Sequence, residues 1–428
     1  MTLKDQVEDL GIIQLDHLEA EVNLEKSQGQ YIFDDKTNSY FLDCFSYIAS
    51  NPIGHNHPKM DNPEFEKTLL RVAKTNPSNS DLLTSEYVSF LKTFKEIAMP
   101  KEFKKAFFIA GGTLAVENAL KTAFDWKIRK LHSRDVLSIP AEGLQVLHLK
   151  GAFSGRSGYS LSLTNTSPEK YKYFPKFHWP KFEPPLMSDR NIDVSRKIQD
   201  IESYVVSNKD RIAAIIIEPI IGEGGDQHFP PSFHFALRRL ADDNECLLIY
   251  DEVQTGVGLT GSLWAYQNFK IVPDILAFGK KMQVCGIMVG DRVLSQSGNV
   301  FEEKSRINST FGGNLVDMVR SQRYLQIIKE EGYVNNAKVV GQYFLKELLK
   351  VEKKNKKLIS NTRGLGLMIA FDLPCTGAKD LILKKLFENK VIALGCGTKS
   401  VRVRPSLNFS KEDVNVFIER LNKSIKEL

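Results

Sequence analysis

The sequence runs to 428 residues, 42% apolar and 26% charged, with 58 Lys and Arg against 52 Asp and Glu for a net charge of +6. That composition excludes a disordered or fibrous chain and fits a globular protein of two or three units, at roughly 100–200 residues per domain. Cys44, Cys246, Cys285, Cys375 and Cys396 are odd in number, widely spaced and form no C-x-x-C pair, which argues against a disulfide framework or zinc site, and no apolar run approaches the ~20 residues of a membrane span.

In chain order, residues 1–55 read as an N-terminal arm. Met1–Ala20 is acidic and broken by charges, unlike a secretory signal, so a cytoplasmic protein is expected. A β-hairpin is expected near Gln30–Asp43. Residues 56–316 read as a large α/β unit organised by short apolar runs, each ending in glycine or a polar residue. They are FFIAGG (Phe107–Gly112), VLHLKGAFSGR (Val146–Arg156), IIIEPIIGEGG (Ile215–Gly225), LLIYDEVQTG (Leu247–Gly256) and ILAFGKK (Ile275–Lys281). Such runs predict buried strands. Between them Val116, Leu120, Phe124 and Ile128 recur every four residues, the spacing of one helix face. Ile198–Ser207 and Ser232–Asp243 predict further helices. Strands alternating with helices predict a mainly parallel sheet, whose ligand crevice lies beyond the carboxyl ends of its strands.

Residues 317–428 read as a smaller α+β unit. A long helical stretch (Val319–Glu352) leads to an apolar segment at Arg363–Leu373 and a helix at Ala378–Asn389. Lys399–Leu407 and a closing helix at Lys411–Lys426 follow. The basic run Lys350–Leu358 has no interleaved aromatics and reads as a solvated helix face. Neither a nucleic-acid nor a membrane partner is expected.

Several residues carry chemistry. Gly111–Thr113 follows a strand and opens a helix, where free N–H groups and the helix dipole suit a phosphate; an ordinary strand-to-helix turn has the same pattern. Asp251 closes an apolar strand and needs a partner there; a protonated pyridine nitrogen or a loop cap would both serve. Lys280 follows the apolar strand ILAFG, where burial would lower its pKa and free the amine as a nucleophile; Lys281 beside it is the confounder. Phe153 could stack on a flat cofactor ring or simply pack in the core. GVGLTG (Gly256–Gly261) fits the dinucleotide fingerprint in letters, but DEVQT separates it from its strand. Glu218 and Glu223 could form an acid/base pair of the glycosidase kind, with no third element in support. No serine nucleophile elbow and no cluster of histidine ligands is present.

Taken together these residues resemble the class III (omega) aminotransferases, from about Leu24 to Leu407. The most specific stretch is IYDEVQTGVGLTG followed by PDILAFGKK. Within that family the resemblance is closest to the L-lysine 6-aminotransferases, through GGTLAVENALKTAFDWK (Gly111–Lys127), HLKGAFSGRSGYSLSLTNT (His148–Thr166), FPKFHWP (Phe174–Pro180), FGKKMQVCG (Phe278–Gly286) and NSTFGGNLVDM (Asn308–Met318). The resemblance implies the fold type I architecture of pyridoxal-5'-phosphate (PLP) enzymes, with a mostly parallel seven-stranded type of sheet and a smaller C-terminal unit. It also implies PLP as cofactor and a homodimer with shared active sites.

By the same resemblance Lys280 is the Schiff-base lysine and proton shuttle, and Asp251 pairs with the pyridine nitrogen. Gln254 sits by the phenolic oxygen and Phe153 stacks on the ring. Gly112 and Thr113 bind phosphate, joined by Thr310 of the partner subunit. Arg156 takes the α-carboxylate of L-lysine, Arg402 that of 2-oxoglutarate, and Glu223 covers Arg402 while the amine donor is bound; Asn308 lies on the substrate side. An arginine neutralised in one half-reaction and freed in the other lets one site take both substrates. The expected reaction moves the ε-amino group of L-lysine to 2-oxoglutarate, giving glutamate and 2-aminoadipate 6-semialdehyde, which cyclises to a piperideine carboxylate. The rivals are a transaminase of ornithine, 4-aminobutyrate or a diamine, and a non-catalytic binding protein of the same fold. The chain departs from the family pattern at Ser154, where a histidine is usual, and at Arg402–Leu407 (RVRPSL), where Arg404 is a second candidate and Ser406 replaces a proline.

Overall fold

The structure, a computed structural model, describes residues 3–12, 19–134, 136, 139–188 and 193–428. The apolar runs become strands because their β-branched side chains are covered on both faces. Every residue of Ile212–Ile217, Leu247–Asp251 and Ile275–Phe278 is buried, so these strands read as unbroken hydrophobic runs rather than alternating ones. The seven-stranded sheet runs Phe103–Ile109, Cys285–Gly290, Ile275–Phe278, Leu247–Asp251, Ile212–Ile217, Gln145–Leu149 and Lys181–Phe182. Only Cys285–Gly290 is reversed, antiparallel to both its neighbours. The register Ile217↔Tyr250 and Asp251↔Ala277 brings the carboxyl ends of the central strands to one edge.

The helix Gly112–His132 covers one face of this sheet. Val116, Ala119, Leu120, Ala123 and Trp126 pack there with Val146, Ala214, Ile216 and Ile249. The predicted face included Phe124 and Ile128, which are only half-buried. A repeat of four drifts from the 3.6-residue turn, and the small Ala119 and Ala123 take the central positions instead. The other two predicted helices form as Val194–Ser207 and Pro231–Asp243.

The stretch predicted as helical over Val319–Glu352 is two helices, Leu315–Glu330 and Tyr333–Lys354, separated at Gly332, whose φ of 65° is left-handed. A glycine adopts that conformation without the Cβ penalty that would strain other residues. Ser360–Leu365, Met368–Asp372, Ser400–Val403 and Leu394–Cys396 form an antiparallel sheet, in that order. The closing helix Lys411–Lys426 begins with a capping box of Ser410 and Asp413,.

The N-terminal hairpin (Tyr31–Asp34 and Ser39–Asp43) gains a third strand, Val22–Gln28, and pairs in parallel with Val391–Ile392. The arm is thereby joined to the C-terminal region. Arg404 N donates to Cys44 O at 2.8 Å and Leu407 N to Pro52 O at 2.8 Å. Among the described residues no helix is long and apolar enough to cross a membrane.

Candidate active site

A cavity of about 370 Å³ opens at the carboxyl edge of the central sheet. Each of its walls is a residue placed by a strand ending. Gly112 and Thr113 follow the strand Phe103–Ile109, and Phe153, Ser154 and Arg156 follow Gln145–Leu149. Glu218 follows Ile212–Ile217, Asp251 and Gln254 end and follow Leu247–Asp251, and Lys280 follows Ile275–Phe278. Seven of the residues given cofactor or substrate roles by resemblance therefore line one cavity, Gly112, Thr113, Phe153, Arg156, Asp251, Gln254 and Lys280, together with Ser154 and Glu218.

The phosphate-like corner is the start of the 21-residue helix Gly112–His132, whose first amides have no acceptor within the helix. Thr113 Oγ1 accepts from Arg156 N at 3.1 Å and ties the two loops together. Gly155 makes this approach possible: its φ is +134°, and a Cβ there would fall 1.9 Å from Thr113 Oγ1,.

The floor is a cluster of groups whose charges burial disfavours. Burial pushes the Asp251 carboxyl up to about 7, partly offset by the Val253 N–H, the Lys280 charge and the Ser154 hydroxyl. The Val253 amide donates to it at 3.1 Å. Glu218 is pushed up to about 8 by burial and by the negative charge of Asp251; it accepts from Phe153 N and Gly222 N, each at 3.0 Å. Burial and the charges of Arg402 and Arg404 lower Lys280 to about 8, against the opposing pull of Glu218 and Glu223. Lys281 has a different fate. It is fully buried, its Nζ donates to Ala49 O at 2.8 Å, and its pKa falls well below the usual lysine range.

Above the floor, Arg402 Nη1 lies 2.8 Å from Glu223 Oε2. Arg404, the other arginine of the same stretch, is held in a buried ion pair with Asp226 and lies 3.4 Å from Gln254 Oε1. Ser406 donates to Gln30 Oε1 at 2.6 Å, a contact that a proline could not make. Asn308 and Thr310 are exposed and do not line their own chain's cavity; Thr310 O accepts from Ser78 Oγ at 2.6 Å.

Two candidate readings do not gain support. Glu218 and Glu223 sit in unlike surroundings, one bound by backbone amides and the other by cations. The GVGLTG segment is a turn in which Gly256 packs on Trp264, and no helix starts from it. Sequence reasoning missed Lys170, whose Nζ donates to Glu223 Oε1 at 2.9 Å. It lies in PEKYKYF, a charged run with nothing to set it apart from solvated lysines.

The donor set fits PLP. Asp251 is a buried carboxylate held by the Val253 N–H and the Ser154 hydroxyl, with no ion pair among the described residues, an arrangement that a pyridinium would complete. An amine of lowered basicity and a helix start stand in the same cavity.

Comparison with known proteins agrees with this geometry. The aminotransferase class-III family matches residues 13–425. The L-lysine-epsilon aminotransferase of Mycobacterium tuberculosis is 43% identical over 420 residues, covering 96% of this chain and 93% of the relative. That of Streptomyces clavuligerus is 40% identical over 421 residues, covering 96% and 92%. The solved lysine aminotransferase of M. tuberculosis superposes with a TM-score of 0.95 at 41% identity, covering 100% of both chains. The chain belongs to the class III aminotransferases, PLP-dependent enzymes of fold type I.

Proposed function

We propose that this protein transfers the ε-amino group of L-lysine to 2-oxoglutarate. The observation that carries this reading is the ion pair of Glu223 with Arg402, 2.8 Å apart at the cavity wall. With Arg402 neutralised, the site suits a donor whose reacting amine stands on a plain methylene. With Arg402 released, it suits a keto acid whose carboxylate adjoins the reacting carbon. The lysine aminotransferases among its relatives support the choice of donor.

PLP supplies, when bound, an electron sink for the carbon that loses its proton. The chain's residues do the rest. Lys280 Nζ is the nucleophile that holds the cofactor, and then the base that takes a proton from the donor's terminal methylene. Asp251 would hold the pyridine nitrogen and keep it protonated, Gln254 would hold the phenolic oxygen, and Phe153 would offer its face to the ring. Gly112 and Thr113 would hold the phosphate, and in a homodimer Thr310 of the partner subunit would close that corner. Arg156, exposed at the rim, receives the α-carboxylate of L-lysine, and Asn308 belongs to the substrate side. Arg402 receives the α-carboxylate of 2-oxoglutarate. Arg404 is the weaker candidate because its charge is already spent on Asp226. The unit boundaries at residues 55 and 316 suit this scheme, since all seven strands of the central sheet lie between them. A cytoplasmic site of action completes the reading.

The test is an absorbance titration of the PLP-loaded protein with L-lysine, ornithine and 4-aminobutyrate. L-lysine alone is expected to bleach the cofactor band, and 2-oxoglutarate to restore it. Bleaching by another amine instead would overturn the donor assignment while leaving Lys280 in its role.

A further inference from the structure

Glu223 has two cationic neighbours that differ in kind. Its Oε2 forms an ion pair with Arg402 Nη1 at 2.8 Å, yet that nitrogen makes no aligned hydrogen bond. Its Oε1 accepts a hydrogen bond of 2.9 Å from Lys170 Nζ. Lys170 ends the short turn Pro168–Lys170, and its ammonium also stands over the Phe153 ring, 5.1 Å from the centroid. Both cations are largely buried, with side chains 6% exposed for Arg402 and 16% for Lys170. Burial alone would raise the Glu223 carboxyl, but Arg402 and Lys170 outweigh it and hold the group below its ordinary value.

The backbone at Glu223 has little freedom. Glu223 O accepts from Gly397 N at 2.9 Å, and a Cβ on Gly224 would fall 2.1 Å from Gly151 O. Glu223 can therefore leave Arg402 by turning its side chain, without the loop moving. The hydrogen bond to Lys170 is compatible with such a turn.

We propose that Lys170 is a positioning residue for carboxylate exchange at Arg402: it retains Glu223 when a keto acid's carboxylate takes the guanidinium. The displaced carboxylate then keeps a cation instead of standing unpaired in a partly desolvated pocket, which is the costly state for a charge. This rests on the Glu223–Arg402 reading above and adds the group that makes the pair easy to open.

The test measures binding of glutarate, an unreactive dicarboxylate, to the PLP-loaded enzyme by calorimetry, with both half-reactions followed by absorbance. Lys170→Met is expected to weaken glutarate about tenfold and to raise the 2-oxoglutarate requirement similarly, with far less effect on the lysine half-reaction. Lys170→Arg restores both, and Lys170→Gln reproduces the loss should methionine disturb the Phe153 contact. In a Glu223→Ala background, Lys170→Met changes glutarate affinity by less than about twofold, because no carboxylate remains to be retained. Unchanged glutarate binding in the single variant overturns the proposal. So does an equal loss in both half-reactions, which marks a packing role on Phe153. A loss that persists without Glu223 overturns it as well, since Lys170 then touches the dicarboxylate itself. Failure of the underlying switch is seen separately: Glu223→Ala alone would leave the preference between lysine and glutamate half-reactions as in the wild type, and both readings fall.

Discussion

Lys280 and Lys281 are chemically identical and adjacent, and their surroundings divide them. Lys281 is a structural group: its Nζ donates to the carbonyl of Ala49 in the core. Lys280 keeps a left-handed φ of 47° and lines the cavity beside Asp251 and Glu218. A non-glycine residue in that region costs on the order of 1–3 kcal/mol, and such strain collects at functional sites. Lys280→Ala is expected to lower turnover by at least ~10³-fold with an unchanged circular dichroism spectrum; a retained steady-state rate would refute the assignment. The depressed pKa of Lys280 has its own signature. The neutral amine captures PLP, so capture by the apoprotein should rise with pH through about 8, not through the usual lysine range near 10.4. Stopped-flow absorbance against pH measures this, and a midpoint above pH 10 would remove the lowered basicity from the account.

The elements act chiefly through their ends. Six of the seven strands are co-directed, and residues at or just beyond the ends of five of them are the cavity walls. The loop after Gln145–Leu149 depends on Gly155, because Thr113 Oγ1 occupies the space of any side chain. Gly155→Ala is expected to displace Thr113 from the helix start and weaken PLP binding by about tenfold or more, read by equilibrium dialysis. Wild-type affinity in that variant would show that this corner does not hold the phosphate. At the other end of the chain, Arg402 and Arg404 lie two residues apart and meet different partners. The strand Ser400–Val403 carries Arg402 to Glu223, while the turn after it buries Arg404 against Asp226.

On the scale of the whole molecule, the N-terminal arm is bound into the site it precedes. Ser46, Tyr47, Ile48 and Ala49 all have positive φ, and the carbonyls of Ala49 and Ser50 accept from Lys281 and Gln283, each at 2.8 Å. The arm is thus held against the segment that carries Lys280. Stability should follow the buried carboxyls. Burial raises Glu218 to about 8 and Asp251 and Glu252 to about 7, so the folded chain holds protons that the unfolded chain has released above its carboxylate range near 4. Stability from these groups is full below that range and is lost as pH rises through 7 and 8. The buried His148, His228 and His234 are lowered to about 4, 4 and 3 and act oppositely, but only up to the ordinary histidine value of 6.5. Between pH 6.5 and 8 the carboxyls lower stability while the depressed lysines, Lys281 well below its ordinary range and Lys280 and Lys127 at about 8, raise it, so the carboxyl share is read as a difference: Glu218→Gln is expected to remove roughly 1–2 kcal/mol of pH-dependent loss over that interval in urea denaturation of the apoprotein. A pH dependence identical in Glu218→Gln and the wild type would contradict the protonated floor.

The sequence by itself determined the α/β class, the strand runs and the strand endings that carry Gly112, Phe153, Asp251 and Lys280. Apolar runs closed by glycine or charge are local signals, written in adjacent residues. The tertiary structure alone decided which of two neighbouring lysines faces the cavity, which of two arginines is available, and where the long helical stretch divides. It alone placed Lys170 beside Glu223 across 53 residues of chain. Contacts of that kind depend on how separate segments pack, and a single charged residue in a polar run carries no mark of the partner that packing will bring to it.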